Sequence, residues 1–289
     1  MIVKIKMNTI HNFEELRERL RQGKPCRVAA VEATDEHSGE AVEKAVKEGW
    51  ALVKNFTTGD PQKSAAEAVN MVRRGEADVI MKGIINTDVL LRAVLNKEEG
   101  LLPKGNVLTH LSAIYLPMLG RIILMGDPAV IPNPTLEQRE AMIRYAVKLA
   151  SAYGIEEPRI ALIHCTEKVS EKFPLTLDYV KLIEECKRGE FGKAIVDGPT
   201  DLKCAICKES ADIKGIKSPL EGRSDILLMP DIEAGNVFYK TLTAFTDAQL
   251  AVGLMGAACP ISLTSRSDSA DTKLNSLAMA CLQASMERK

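Results

Sequence analysis

The chain has 289 residues, of which 27% are charged and 46% hydrophobic, and its formal net charge is -1. This composition is ordinary for a globular protein, and without a basic excess we expect no nucleic-acid partner. Seven irregularly spaced cysteines predict reduced thiols in a cytoplasmic protein rather than a disulfide framework. Residues 1–7 lack the apolar core of a signal peptide. No run approaches the ~18 apolar residues of a membrane span, so we also expect no membrane partner.

Apolar strands alternate with amphipathic helices along the chain. Alanine and valine at positions 65, 68, 69 and 72, for example, share one face of a helix that ends at a glycine. The predicted strands cover residues 27–32, 51–54, 77–81, 121–125, 159–163, 193–196, 225–229 and 249–255. The predicted helices cover residues 38–48, 62–74, 87–95, 135–152, 177–187, 233–245 and a last segment through 274–282.

This alternation is typical of parallel sheets covered by helices, so we predict an α/β fold. Ligands in such folds bind beyond the carboxyl ends of the strands. The residues that follow each strand are therefore the candidates for a site. The length is about that of two domains. The long helix that begins at the capping box of Thr135 and Gln138 is a candidate bridge between them.

Residues 264–271 read Thr-Ser-Arg-Ser-Asp-Ser-Ala-Asp and precede a predicted helix. Free backbone N–H groups and a partial positive charge gather at the start of a helix. The guanidinium of Arg266 adds a planar donor fork that suits phosphate oxygens. The segment therefore predicts a pocket for an anion, most simply a phosphoryl group. The alternative is a helix cap in which Ser265 or Asp268 accepts N–H bonds and Arg266 is solvated.

A second strand-to-helix junction carries cations and polar side chains around Gly83. Because glycine permits a close approach of the backbone to a ligand, the neighbouring polar residues are candidates for substrate binding. The pattern is neither a Walker loop nor a dinucleotide fingerprint, and the alternative is a routine loop with surface cations. The candidate residues at this junction are Lys82, Asn86, Thr87 and Arg92.

Two further junctions follow the strands predicted at 121–125 and 225–229. Asp127 stands before a proline-rich turn, where it could hold a site arginine or simply end the strand. Glu233 and Asn236 begin a helix around a glycine, which suits a close ligand or a polar contact. Capping of this helix by Asp231 is the alternative.

Metal and nucleophile chemistry has little support in the sequence. Cys204 and Cys207 form one C-x-x-C pair, but a structural zinc site needs four ligands, so we predict no metal. His164 adjoins Cys165, yet adjacency along the chain is not the geometry of a nucleophile and its base. We interpret both as packing residues at the end of a strand.

Taken together, these segments resemble the phosphate acetyl/butyryl transferase family. The resemblance covers nearly the whole chain in the right order, including residues 77–92 and 196–199. Its most telling parts are Ser-Pro-Leu-Glu-Gly-Arg at 218–223, Pro-Asp-Ile-Glu-Ala-Gly-Asn-Val at 230–237 and Ser-Arg-Ser-Asp-Ser-Ala at 265–270. Individually, only the Glu-Ala-Gly-Asn and Ser-Arg segments are specific. The length and the wording of 265–270 look closer to the butyryl branch. It implies reversible transfer of an acyl group between CoA and phosphate, with butyryl as the acyl group and acetyl or another short chain as alternatives.

The resemblance also implies an architecture similar to isocitrate and isopropylmalate dehydrogenases. That architecture has two α/β/α domains with mostly parallel sheets and a site in the cleft between them. The C-terminal segment would return to the first domain, so we predict one domain of 1–134 plus 252–289 and another of 135–251. The family implies a homodimer or higher homo-oligomer. It also implies acyl-CoA and phosphate as substrates, with no permanently bound cofactor.

Residue roles carry over from the acetyl branch position by position. There, the arginine that matches Arg266 binds the phosphoryl group and the serine that matches Ser265 supports the thioester, while a second arginine falls on Arg92. The aspartate that takes the thiol proton would fall on Thr272 here, so the base is Asp271 or, alternatively, Asp268. A shift of one residue along a helix rotates a side chain by about 100°.

Three other functions compete with this interpretation. A phosphate acyltransferase that uses acyl carrier protein would need a basic docking face, and the sequence shows no such cluster. A dehydrogenase would need a dinucleotide motif, which is also missing. A non-catalytic protein that binds CoA or phosphate could retain the same pocket residues.

Overall fold

The computed structural model describes residues 8–287, the last of them by its backbone alone, so the prediction about residues 1–7 lies outside it. Within the described residues the strands are β1 (Cys26–Val31), β2 (Ala51–Phe56), β3 (Val79–Lys82), β4 (Thr109–Leu116), β5 (Arg121–Gly126), β6 (Arg159–Ile163), β7 (Ile195–Thr200), β8 (Ile226–Leu228), β9 (Gln249–Met255) and β10 (Ile261–Ser262). The helices are α1 (Phe13–Arg21), α2 (Glu36–Lys47), α3 (Pro61–Arg73), α4 (Thr87–Val94), α5 (Leu136–Ala152), α6 (Leu175–Lys187), α7 (Leu202–Ile206), α8 (Lys208–Ile213), α9 (Ile232–Phe245) and α10 (Ala270–Glu287).

The chain divides into two compact units. The first unit comprises residues 11–115 and 249–289, and the second comprises residues up to 10 and 116–248. The division at 134/135 and 251/252 that we derived from the sequence stays a prediction. No helix among the described residues is both long enough and apolar enough to cross a bilayer.

In the first unit the strands follow the order β2-β1-β3-β10-β9-β4. Strands β2, β1, β3 and β10 run parallel to one another, whereas β9 pairs antiparallel with both β10 and β4. The carboxyl ends of β1, β3 and β10 therefore lie at the same edge. Helix α10 packs on β9 and on α2, and its residues from Lys273 to Ala284 are all buried.

In the second unit the order is β5-β8-β6-β7, and every pairing is parallel. Residues after β5, β6, β7 and β8 thus emerge at one edge of these strands. Helix α5 begins with the predicted capping box, in which Thr135 and Gln138 each accept a backbone N–H bond from the other. These strand pairings confirm the prediction of a mixed α/β fold with mostly parallel strands.

Five elements, α1, α7, α8, β4 and β10, had no counterpart among the predicted strands and helices. Helix α1 buries Phe13, Leu16 and Leu20, whose spacing of three and four residues is a readable helix signal. Strand β4 was missed because its first six residues are buried without alternation, so it lacks the period of two that marks a half-buried strand.

Candidate functional site

Three loops of the first unit meet at the carboxyl ends of its parallel strands. They follow β1, β3 and β10, which are adjacent and parallel. Gly83 is essential to this arrangement, since a Cβ atom there would lie 2.1 Å from the carbonyl oxygen of Glu32 and 2.4 Å from Cα of Ala33. Glu32 itself has a φ of 51°, an uncommon conformation for a residue other than glycine. The loops after β1 and β3 are therefore packed backbone against backbone.

Lys82, the last residue of β3, is only 2% exposed. Its Nζ donates to the carbonyl oxygens of Gly83 at 3.2 Å and Thr264 at 3.3 Å, and neither partner is a carboxylate. The pKa of Lys82 is lowered from 10.5 to about 8, chiefly by burial and next by the charges of Lys273 and Arg266. Those effects outweigh the opposing charges of Asp268 and Asp35. An anion near Nζ would relieve this cost.

An ion pair between a buried lysine and a half-buried aspartate lies beside Lys82. The side chain of Lys273 in α10 has no exposed surface, and its Nζ lies 3.2 Å from Oδ1 of Asp35 and 3.0 Å from Oγ of Ser38. Oδ1 of Asp35 also accepts the backbone N–H of Ser38 and so caps α2. Burial alone would raise the pKa of Asp35, but the hydrogen bonds from Ser38 and Lys273 lower it overall.

The loop between β10 and α10 is folded on itself. The carboxylate of Asp268 accepts the backbone N–H of Ser265 at 2.7 Å, and the Asp268 N–H returns to the Ser265 carbonyl at 3.2 Å. Oγ of Ser265 lies 3.1 Å from Oγ of Ser267. Arg266 is exposed and has no hydrogen-bond partner among the described residues, yet its charge acts on Lys82. Its guanidinium is thus available to a ligand.

The two candidates for the thiol base differ in their surroundings. Asp268 already accepts a backbone N–H inside the loop. Asp271 is in the first turn of α10, with its side chain 85% exposed, and lies 3.8 Å from Nζ of Lys44. The structure therefore leaves the carboxylate of Asp271 open to solvent.

Helix α4 carries the remaining candidates of the first unit. Asn86 occupies its N-cap position without making the capping side-chain bond, and Thr87 is its exposed first residue. The side chain of Arg92 is 78% exposed and lies 3.5 Å from Asp88, one turn earlier on the same helix. An exposed pair of this kind is weak, so Arg92 can leave Asp88 for a ligand at little cost.

Asp127 lies after β5 in the second unit and is 2% exposed. Its Oδ1 accepts the backbone N–H groups of Ala129 at 2.8 Å and Val130 at 2.9 Å, and its Oδ2 accepts that of Ile131 at 3.3 Å. This carboxylate therefore organises the proline-rich turn that follows it.

The start of α9 packs against the same turn. Asp231 caps this helix by accepting the N–H of Ala234, as the capping alternative predicted. Asn236 donates to the carbonyl oxygen of Pro128 at 3.1 Å, and a Cβ at Gly235 would lie 2.6 Å from the carbonyl oxygen of Asp127. Glu233 is exposed in the first turn of the helix.

One group of potential metal donors lies elsewhere in the second unit. Donor atoms of Glu167, Asp201 and Cys204 are within 4.8 Å of one another. Nζ of Lys214 binds both carboxylates, at 2.7 Å from Glu167 and in a short contact with Asp201. Burial alone would raise the pKa of Asp201, but the hydrogen bond from Lys214 lowers it well below its usual range. The group is thus an ion-pair network in which one ammonium already binds both carboxylates.

Sequence reasoning missed Lys273 and Asp35. The available signal was the position of Lys273 on α10, immediately before the apolar residues of that helix. A lysine there must be buried, and a buried ammonium needs a partner. The partner is 238 residues away in sequence, so only the fold reveals it.

Comparison with known proteins gives a consistent result. The sequence pattern of the phosphate acetyl/butaryl transferase family matches residues 13–281. The chain is 38% identical to phosphate butyryltransferase from Clostridium acetobutylicum, over 95% of this chain and 99% of that protein. It is 34% identical to phosphate acetyltransferase from Thermotoga maritima, over 93% and 99%. The solved branched-chain phosphotransacylase from Enterococcus faecalis V583 superposes with a TM-score of 0.81 at 31% identity, covering 90% and 99% of the two chains.

Proposed function

The chain belongs to the phosphate acetyl/butaryl transferase family, and we propose that it is an acyltransferase that moves a short-chain acyl group reversibly between CoA and inorganic phosphate. The observation that carries this proposal is the cation cluster of Lys82, Lys273 and Arg266, which lies at the carboxyl ends of β3 and β10 in the first unit. There, the buried ammonium of Lys82 bonds only to carbonyl oxygens among the described residues, and the charge of Arg266 acts on it. Such a cluster favours an anion, as an enzyme that binds phosphate requires.

The reaction needs no covalent intermediate on the enzyme. The CoA thiolate attacks the carbonyl carbon of the acyl phosphate, a C–S bond forms, the C–O bond to phosphate breaks, and phosphate leaves with the electron pair. In the reverse direction phosphate attacks the thioester. Holding the two substrates in line lowers the barrier by several kcal/mol, since effective molarities in well-oriented reactions are large.

The charge and position of each candidate residue indicate its role in this reaction. Lys82 and Arg266 would hold the phosphate oxygens and neutralise the charge that develops on the leaving group. Ser265, whose backbone N–H is engaged by Asp268, would present its hydroxyl to the acyl carbonyl. Arg92, Asn86 and Thr87 would contribute from α4.

The proton of the CoA thiol goes to Asp271 in this proposal. Its carboxylate is exposed and only weakly engaged by Lys44 at 3.8 Å, whereas Asp268 is occupied by the Ser265 N–H. A general base must be able to reach the proton that it takes. Replacement of Asp271 by asparagine should therefore change the pH–rate profile, and an unchanged profile would remove it as the base.

The acyl group that we propose is butyryl or a branched chain of similar size. The support is the 38% identity to a phosphate butyryltransferase and the similarity to a branched-chain phosphotransacylase. Phosphate acetyltransferase activity is the alternative, supported by the 34% identity to an enzyme of that name. On the second unit, Asp127, Glu233 and Asn236 would act as substrate-binding or turn-forming residues.

The deciding experiment measures thiol release from acetyl-, propionyl-, butyryl- and isobutyryl-CoA in the presence and absence of phosphate. We expect phosphate-dependent release, fastest with butyryl- or isobutyryl-CoA. Arg266→Ala should lower turnover by about 10²-fold or more with the fold intact. Arg73→Ala, which removes an exposed arginine from the end of α3, is the matched control. Wild-type turnover in the Arg266 variant would refute the assignment.

A further inference from the structure

Helix α2 contacts the 264–269 loop, which carries Ser265 and Arg266, through the side chain of His37. Nδ1 of His37, in the first turn of α2, lies 3.0 Å from the carbonyl oxygen of Asp268. A carbonyl can only accept, so the ring donates this hydrogen bond. Asp268 in turn holds the Ser265 N–H. A displacement of α2 would therefore pass directly to the loop that carries Arg266.

The position of α2 is itself fixed by the buried Lys273. Its ammonium bonds to Oδ1 of Asp35, the N-cap of α2, and to Oγ of the buried Ser38. The second carboxylate oxygen, Oδ2 of Asp35, is buried without a hydrogen-bond partner among the described residues. Lys273 therefore joins the first turn of α10, which follows the 264–269 loop, to the first turn of α2, which contacts that loop through His37.

A buried ion pair of this kind is poor evidence for a stabilising role. Well-packed apolar residues of similar volume are often as stable as a buried pair, because both charges lose their hydration. The pair does, however, fix geometry, since it links α10 to α2, and the loop next to it is the one that the proposed reaction uses.

We propose that Lys273 is a positioning residue for the acyl-transfer site, acting through Asp35 and α2 to hold the Ser265–Asp268 loop in place. This inference rests on the proposed function, because it assigns the loop to the acyl-transfer site. Whether Lys273 holds the loop in place can be tested without measuring activity. The charge of Lys273 has a second effect, since it lowers the pKa of Lys82 together with burial and Arg266, against Asp268 and Asp35.

The first test is hydrogen–deuterium exchange of residues 263–272 in wild type, Lys273→Met and His37→Ala. We expect both variants to exchange about tenfold faster in this segment than wild type, because local opening becomes easier when a restraint is lost. Lys47→Met, an exposed lysine on α2, should exchange as wild type does. Unchanged exchange in the Lys273 and His37 variants would overturn the inference.

Lys273→Met leaves the carboxylate of Asp35 unpaired and can fail to fold for that reason alone. The double variant Lys273→Met with Asp35→Asn removes both charges, and asparagine remains a good N-cap. Because His37 is exposed, its variant also folds independently of the buried pair. Faster exchange in the folded double variant supports the inference, whereas exchange like that of wild type refutes it.

The second test is the pH dependence of the KM for phosphate. In wild type this KM should rise above about pH 8, as Lys82 loses its proton. In Lys273→Met the rise should move to higher pH, because the charge of Lys273 no longer lowers the pKa of Lys82, and an unmoved rise would contradict this electrostatic effect. If wild type releases no thiol from any acyl-CoA, the proposed function fails, while hydrogen–deuterium exchange still decides the inference.

Discussion

Replacing Lys82 with methionine should stabilise the fold and weaken phosphate binding at the same time. Methionine keeps most of the buried volume and removes the ammonium, whose partners among the described residues are two carbonyl oxygens. A pKa lowered from 10.5 to about 8 corresponds to about 3 kcal/mol in favour of the neutral amine in the folded state. Relaxation of the protein around the charged amine reduces this cost.

The sign of the effect follows from linkage. Because the folded state holds the proton of Lys82 less tightly than the unfolded state, its contribution to stability is complete above about pH 10.5 and is lost as the pH falls to about 8. Wild type should therefore gain stability relative to Lys82→Met between pH 8 and pH 10.5. Below pH 8 the variant should exceed wild type by up to about 3 kcal/mol.

Urea unfolding from pH 7 to pH 10.5 measures the free energies of unfolding of wild type and of Lys82→Met. Lys47→Met is the control, because this exposed lysine loses no hydration on folding and its curve should run parallel to wild type. If the Lys82→Met curve also runs parallel to wild type, Lys82 is not a buried, charged group and the reasoning is wrong. Phosphate binding should fall at least tenfold in the variant, equivalent to about 1.4 kcal/mol.

Three substitutions test the packing of the loops, and a fourth, Gly39→Ala, is their control. Gly83→Ala should lower the free energy of unfolding by about 3 kcal/mol, because its Cβ would lie 2.1 Å from the Glu32 carbonyl oxygen. Gly39→Ala has open space around its Cβ inside α2 and should raise the free energy of unfolding by up to about 1 kcal/mol. Urea unfolding measures both changes. Asp127→Asn should cost about 1–3 kcal/mol in the same assay, because one amide oxygen cannot accept the three N–H bonds; no loss would show that the turn holds without the carboxylate. Gly235→Ala should raise the KM for acyl-CoA or phosphate and cost about 1–3 kcal/mol, because its Cβ would lie 2.6 Å from the Asp127 carbonyl oxygen; an unperturbed crystal structure of this variant would contradict that.

The fold was largely readable because helices and strands alternate with distinct periods. The apolar face of 62–74, for example, became α3 (Pro61–Arg73), and its buried residues include Ala65, Ala68 and Val69. The antiparallel β9 could not be anticipated in this way. A buried strand looks the same in sequence whether its neighbours run parallel or antiparallel, since the pattern records burial and not direction.

The site could be predicted from the sequence only in part, for a different reason. Ser265 and Arg266 follow a strand, so local sequence alone placed them at an edge. By contrast, whether Lys82 is buried depends on strand pairing between β3 and β10, which places Thr264 beside it. The Lys273–Asp35 pair likewise depends on the packing of α10 against α2. Contacts between distant segments set charge and pKa, and a local pattern does not contain them.

The chain as a whole carries a net charge of -1, so it offers no long-range attraction for phosphate or CoA. Any preference for an anion must therefore arise locally, where the charges of Lys273 and Arg266 act on Lys82 and those of Asp268 and Asp35 oppose them. Of these carboxylates, Asp35 is bound to Lys273 and Asp268 to the Ser265 N–H. Among the described residues, Lys82 and Arg266 are consequently the cations of this group without a carboxylate partner, and of the two only Lys82 is buried. A fold that keeps such a group at a cost of about 3 kcal/mol must recover that cost elsewhere, and an oxyanion bound at this edge would supply it.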